Sequence, residues 1–124
     1  MICLDKSTRK LQAVLAGAVT TNQLQCVVSF YDVPKQTKDD NAEYQSALQL
    51  TSTNSGTDVD ICAAPPANGT VRNVRYISVY NADTVGATVT IKIDDGGTDS
   101  ILVKQALLTT ETLVYTSQGG WQII

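Results

Sequence analysis

The sequence predicts an all-β chain: a compact antiparallel β-sandwich or barrel of about eight strands, with a long irregular excursion at about 34–56. Three observations predict it. Valine, isoleucine and threonine make up 37 of the 124 residues, and β-branched side chains suit a pleated surface while losing rotamer freedom in a helix. Apolar and polar residues alternate in segment after segment, the period of a half-buried strand. Turn formers punctuate those segments roughly every dozen residues, the rhythm of sandwiches and barrels. The length suits one β domain, taken as residues 10–124 behind an N-terminal arm of residues 1–9.

Taken in order, residues 10–18 alternate through Leu11, Ala13 and Leu15. Residues 23–31 follow, with Leu24, Cys26, Val28 and Phe30 on one face. The break at Val19-Thr20-Thr21-Asn22 predicts a hairpin between these two strands. From residue 34 to residue 56 the pattern lapses. Pro34, the charged cluster Lys35, Lys38, Asp39, Asp40 and Glu43, and a Ser/Thr/Asn/Gly run from 51 to 56 mark an excursion from the sheet. Within it, residues 43–50 read as a short edge strand. Connections of this length tend to make contacts.

Regular alternation resumes at 57–63, with Val59 and Ile61 opposite Asp58, Asp60 and Cys62, and stops at Pro65-Pro66. Residues 71–80 set Val71, Ile77 and Val79 on one face and Val74, Tyr76 and Tyr80 on the other. Apolar bulk on both faces marks a central strand, or one covered by a neighbouring chain. Residues 88–94 send Val89, Ile91 and Ile93 inward. Asp95-Gly96-Gly97-Thr98 then turns the chain, since glycine accepts positive φ freely, into a strand over 100–107. A strand at 112–116 and the turn Gly119-Gly120 lead into Trp121.

Composition limits the chemistry. The chain has no histidine, which removes His-based triads, His-ligated metals and imidazole acid–base pairs. A formal charge of −3 gives no basic surplus for nucleic acid. No run is apolar enough to span a bilayer, and no apolar stretch follows a basic start as in a signal peptide. The expectation is a chain made in a reducing cytoplasm, with no cofactor. Cys3, Cys26 and Cys62 lack zinc or disulfide spacing, and Cys26 and Cys62 read as core residues.

The remaining constellations read mainly as structure. Asp94, Asp95 and Asp99 around Gly96-Gly97 could chelate calcium, yet the EF-hand alternation is missing and a solvated hairpin tip explains them better. Asp58 and Asp60 share a strand face as exposed alternate positions do. Tyr76, Tyr80, Tyr115 and Trp121 could form an aromatic platform, though rings closing the ends of a sandwich are the simpler reading. Asn68-Gly69-Thr70 is a turn.

Several stretches carry a resemblance. The segment Leu15-Ala16-Gly17-Ala18-Val19-Thr20-Thr21-Asn22-Gln23-Leu24 is one. A second runs from Ile77-Ser78-Val79-Tyr80-Asn81-Ala82-Asp83-Thr84 through Val85-Gly86-Ala87-Thr88-Val89-Thr90. Asp94-Asp95-Gly96-Gly97-Thr98, Leu113-Val114-Tyr115 and Gly119-Gly120-Trp121 complete it. Together they resemble small β-rich virion structural proteins of tailed bacteriophages, over about two-thirds of the chain. The matching stretches are framework turns and strands, and the region 34–56 matches nothing in that group.

The resemblance implies a non-enzymatic protein of the virion. The first expectation is a capsid decoration (cement) protein on the outer surface of the phage head, a homo-oligomer with a trimer favoured, bound to the major capsid protein. A tail, baseplate or fibre-attachment protein is the alternative, and a carbohydrate-binding β-sandwich module using Tyr76, Tyr80 and Trp121 is the second. No nucleic acid, membrane, metal or catalytic residue is expected. The candidate partner contacts are Ile2, Leu4, Lys6 and Arg9 of the arm, Lys35, Lys38 and Tyr44 of the excursion, and Tyr76 and Tyr80.

Overall fold

A computed structural model describes residues 1–34 and 45–124. Among them are ten strands and no helix: β1 (Ile2–Leu4), β2 (Arg9–Leu15), β3 (Gln25–Pro34), β4 (Gln45–Ser52), β5 (Val59–Cys62), β6 (Thr70–Tyr80), β7 (Ala87–Asp95), β8 (Thr98–Leu107), β9 (Thr112–Thr116) and β10 (Gly120–Ile123). They form two antiparallel sheets packed as a sandwich. One runs β10-β9-β6-β3-β4, with β1 also paired to β6; the other runs β5-β2-β7-β8. β6 is indeed central. β3 lies along one of its edges, while β9 and β1 share the other edge end to end.

The core between the sheets follows the alternation in the sequence. Leu24, Cys26, Val28 and Phe30 face Leu11, Ala13, Leu15, Ile61, Val89 and Ile91, all buried. Burial pushes the Cys26 thiol up to about 12 and the Cys62 thiol up to about 11, so both are small apolar core residues. The turn after β7 is as expected, with Gly96 and Gly97 at φ 61° and 97°.

Two expectations fail for physical reasons. β2 and β3 do not pair as a hairpin but lie in different sheets. The chain between them arches across the end of the sandwich, held by the Asp83 carboxylate, which accepts the N–H groups of Thr20, Thr21 and Asn22 at 2.8, 2.8 and 3.1 Å. Val74 is buried rather than sharing the outer face with Tyr76 and Tyr80. The register of β6 on β3 skips Arg75, and this bulge reverses the side-chain alternation, which also moves Val71 off the inner face.

The edge strand expected within residues 34–56 is β4, the last strand of its sheet. β3 continues through Pro34, and β4 pairs with it from Gln25↔Ser52 to Asp32↔Gln45. In the N-terminal arm, Leu4 faces the core and not a partner. Ile2–Leu4 form β1, and the Leu4 side chain is fully buried.

The two lateral sides of the sandwich differ. At β4 and β5 the sheets are stitched by Gln49, whose Nε2 donates to the Asp60 carbonyl at 3.0 Å and whose Oε1 accepts the Ala63 N–H at 2.8 Å. Nearby, Arg72 forms a fork to Asp32 with both bonds at 2.9 Å, lies 4.1 Å from the centre of the Phe30 ring, and donates to the Ala63 carbonyl. On the opposite side, β8 and β10 are the terminal strands of their sheets.

Candidate functional site

The two outer faces of the sandwich have opposite chemistry. On the β5-β2-β7-β8 sheet Arg9, Lys10 and Lys92 are each paired with aspartates. Lys92 reaches Asp58 at 2.8 Å and Asp99 at 2.7 Å; Lys10 reaches Asp60 at 3.2 Å and Asp94 at 3.9 Å. Gln12 donates to Asp60, and Arg9 bridges Asp5 and Asp95 at 2.6 and 3.0 Å. Asp58 first and then Asp99 raise the Lys92 pKa, while Thr8 and Arg9 lower that of Asp95. The aspartates around Gly96-Gly97 are therefore used by lysine, arginine and threonine, with Asp94 also accepting the Gly97 N–H. Among the described residues no group of three or more His, Cys, Asp or Glu side chains has metal-holding geometry.

The outer face of the six-stranded sheet is built differently. The strand register lines its side chains up in rows centred on β6. One row is Leu48, Ser29, Tyr76, Thr116 and Gly120, and the next is Leu50, Val27, Ser78, Val114 and Gln122. A third holds Ser52, Gln25, Tyr80 and Thr112, and mutual backbone hydrogen bonds between Thr112 and Ile124 extend it to Ile124. No charged residue occurs in these rows. Arg75, at the bulge, sits over the Tyr31 ring at 5.1 Å and donates to the Ser46 hydroxyl.

Large apolar side chains protrude from this face. Leu48 is 64% exposed, Leu50 72% and Ile124 71%, with Tyr76 and Tyr80 more than a third exposed. A shallow hollow of about 440 Å³ lies between β3 and β4, lined by Gln25, Val27, Leu50 and Ser52. Exposed apolar side chains are thus concentrated on this face.

The expected contact residues separate into three groups. Tyr76 and Tyr80 stand together on this face, on either side of Ser78. In the arm, Leu4 is buried, Ile2 packs against the core, Arg9 is held by two aspartates, and Lys6 is exposed in the turn before β2. Lys35, Lys38 and Tyr44 lie outside the described residues. The three-ring platform does not assemble. Trp121 lies on the inner side of the sheet, its ring 5.0 Å from that of Tyr115, which is part of the core.

Leu48, Leu50 and Ile124 were not among the expected contacts. In Ala47-Leu48-Gln49-Leu50 the alternation is visible, but ordinary polarity would send the leucines inward. Gln49 takes the inner position because its amide stitches β4 to β5, so the leucines face out.

A second cluster of importance is the end of the sandwich at Asn81 and Asp83. Asn81 is fully buried, and its Nδ2 donates to the carbonyls of Val85, Leu107 and Leu108 while its Oδ1 accepts the Asp83 N–H. The N–H of Thr20, then those of Thr21, Asn22 and Thr84, hold the Asp83 carboxyl at about 2. Thr109 donates its hydroxyl to the Asp83 carbonyl. This pair positions three loops.

Among the described residues these features define a ten-stranded, two-faced β-sandwich, one face carrying ion pairs and the other three rows without charge beside Arg75. Comparison with protein-family models, characterised proteins and solved structures gives no match to the chain.

Proposed function

We propose that the chain is a non-enzymatic virion structural protein, a decoration protein that binds the outer surface of an assembled phage head and braces it. The observation that carries this reading is the outer face of the six-stranded sheet, where Leu48, Leu50, Tyr76 and Tyr80 stand exposed in rows that contain no charge. A side chain as large as leucine gains about 1.5–3 kcal/mol on burial, so several of them on one rigid face favour a stable protein contact. On the opposite face Lys10 and Lys92 are paired with aspartates, and solvent-exposed ion pairs of this kind add little to stability. The resemblance of the framework stretches to phage virion proteins supplies the particle, and it favours a trimer. Synthesis in the host cytoplasm agrees with the free cysteines.

Purified particles carrying the chain provide the test. Quantitative mass spectrometry should find hundreds of copies per particle, and particles lacking the chain should release their genome at a lower temperature. A handful of copies at one vertex would indicate the tail or fibre-attachment role instead. A chain absent from the particle would overturn the reading.

A further inference from the structure

The contact face has an internal symmetry that identifies its occupant. Each row is centred on β6, with β3 and β4 on one side and β9 and β10 on the other. Reflecting a row through its centre sets a large residue against a small one at two of the three margins. Leu48 corresponds to Gly120, and Ile124 to Ser52; between them Leu50 corresponds to Gln122. Nearer the middle, Val27 corresponds to Val114, Ser29 to Thr116 and Gln25 to Thr112. Tyr76, Ser78 and Tyr80 of β6 correspond to themselves.

We propose that the outer face of the six-stranded sheet is covered by the same face of a second copy of this chain, related by a two-fold axis running along β6. A two-fold contact needs a self-complementary patch, and this correspondence describes one. Leu48 of each copy lies over Gly120 of the other, where no side chain stands in its way. Ile124 of each copy projects toward Ser52 and the hollow lined by Gln25, Val27 and Leu50. The tyrosines of the two copies meet near the axis. No like charges oppose one another within the rows, and Arg75, beside them on β6, is turned aside onto the Tyr31 ring and Ser46. Two sheets stacked in this way keep their strands within about 30° of each other, as in natural sheet packings.

The area is sufficient. Five strands spaced about 4.8 Å apart and three rows spaced about 7 Å apart make roughly 500 Å² of face per copy, or roughly 1,000 Å² counted on both, the lower bound for a specific interface. The stack buries the charge-free rows, so the ion-paired faces and the β8 margins of the two copies are what a phage head would meet. This inference rests on the contact-face reading of the proposed function and not on residence in a virion. The two-fold pattern departs from the trimer that the resemblance favours.

Light scattering and site-directed cross-linking of the isolated full chain test it. The wild type should have the mass of a dimer at tens of micromolar, and Leu48→Asp should raise the dissociation constant at least about tenfold. Facing sheets stand about 10 Å apart, so a short bis-maleimide should couple two copies of a Ser78→Cys variant near the axis. A Lys104→Cys variant, on the other sheet, should stay uncoupled. Both carry Cys3→Ser to remove the exposed thiol. A monomeric or trimeric mass, or equal coupling of the two variants, would overturn the two-fold stack. A dimer that is absent from particles would leave this inference standing and remove the virion reading.

Discussion

Asp83 shows how a single side chain sets the path of the fold. Four backbone N–H groups converge on its carboxylate, and they hold its pKa at about 2, below the ordinary 3.8. A carboxyl depressed on folding contributes stability that is complete above its unfolded value and is lost as pH falls through the folded one. The melting temperature should therefore decline between about pH 4 and pH 2. Asp83→Asn should be less stable at pH 6, with the gap to wild type narrowing toward pH 2 in a thermal melt series. Asp95, whose pKa is lowered by Thr8 and Arg9, adds to the same decline. Asn81 acts alongside it. Asn81→Ala leaves the carbonyls of Val85, Leu107 and Leu108 without their donor. Urea unfolding should register a loss of about 3 kcal/mol, about 1 for each of the two amide N–H donors and about 1 for the Oδ1 that accepts the Asp83 N–H.

At the scale of the strand, what the sequence revealed depended on how local the cause was. The alternation of Val89, Ile91 and Ile93 and the Gly96-Gly97 turn need only their neighbours, and β7 and β8 formed as read. The arch from β2 to β3 depends on Asp83, some sixty residues away, and Val19-Thr20-Thr21-Asn22 alone looks like any tight turn. The bulge at Arg75 is likewise set by pairing with β3, so Val74 changes face without any local signal.

β1 and β4 supply the sharpest tests of this level. Leu4→Ala should cost about 3 kcal/mol, because its side chain fills the core. Lys6→Ala, in the exposed turn, should stay within about 0.5 kcal/mol; equal effects in urea melts would contradict the packed position of β1. In β4, Gln49→Ala should speed amide exchange at Ala63, whose N–H would lose its acceptor.

Across the whole molecule, the division into an ion-paired face and a face of charge-free rows arises from register and could not be read in advance. Sparse charge and apolar bulk on both sides of residues 71–80 predicted a central or covered strand; β6 is central, and Tyr76 and Tyr80 stand exposed on its outer face. The leucines and Ile124 joined them only once β4 and β10 were placed on either side of β6. Because the rows contain no charge, association through this face should persist in 1 M salt, where screening acts over about 3 Å; sedimentation at low and high salt reads this directly. Hydroxyl-radical footprinting of dilute and associated protein tests the central claim most closely. Leu48, Leu50, Tyr76 and Tyr80 should become protected on association while Ile101 and Leu108, exposed elsewhere on the sandwich, remain reactive. Protection of Ile101 and Leu108 with the four others unchanged would contradict it.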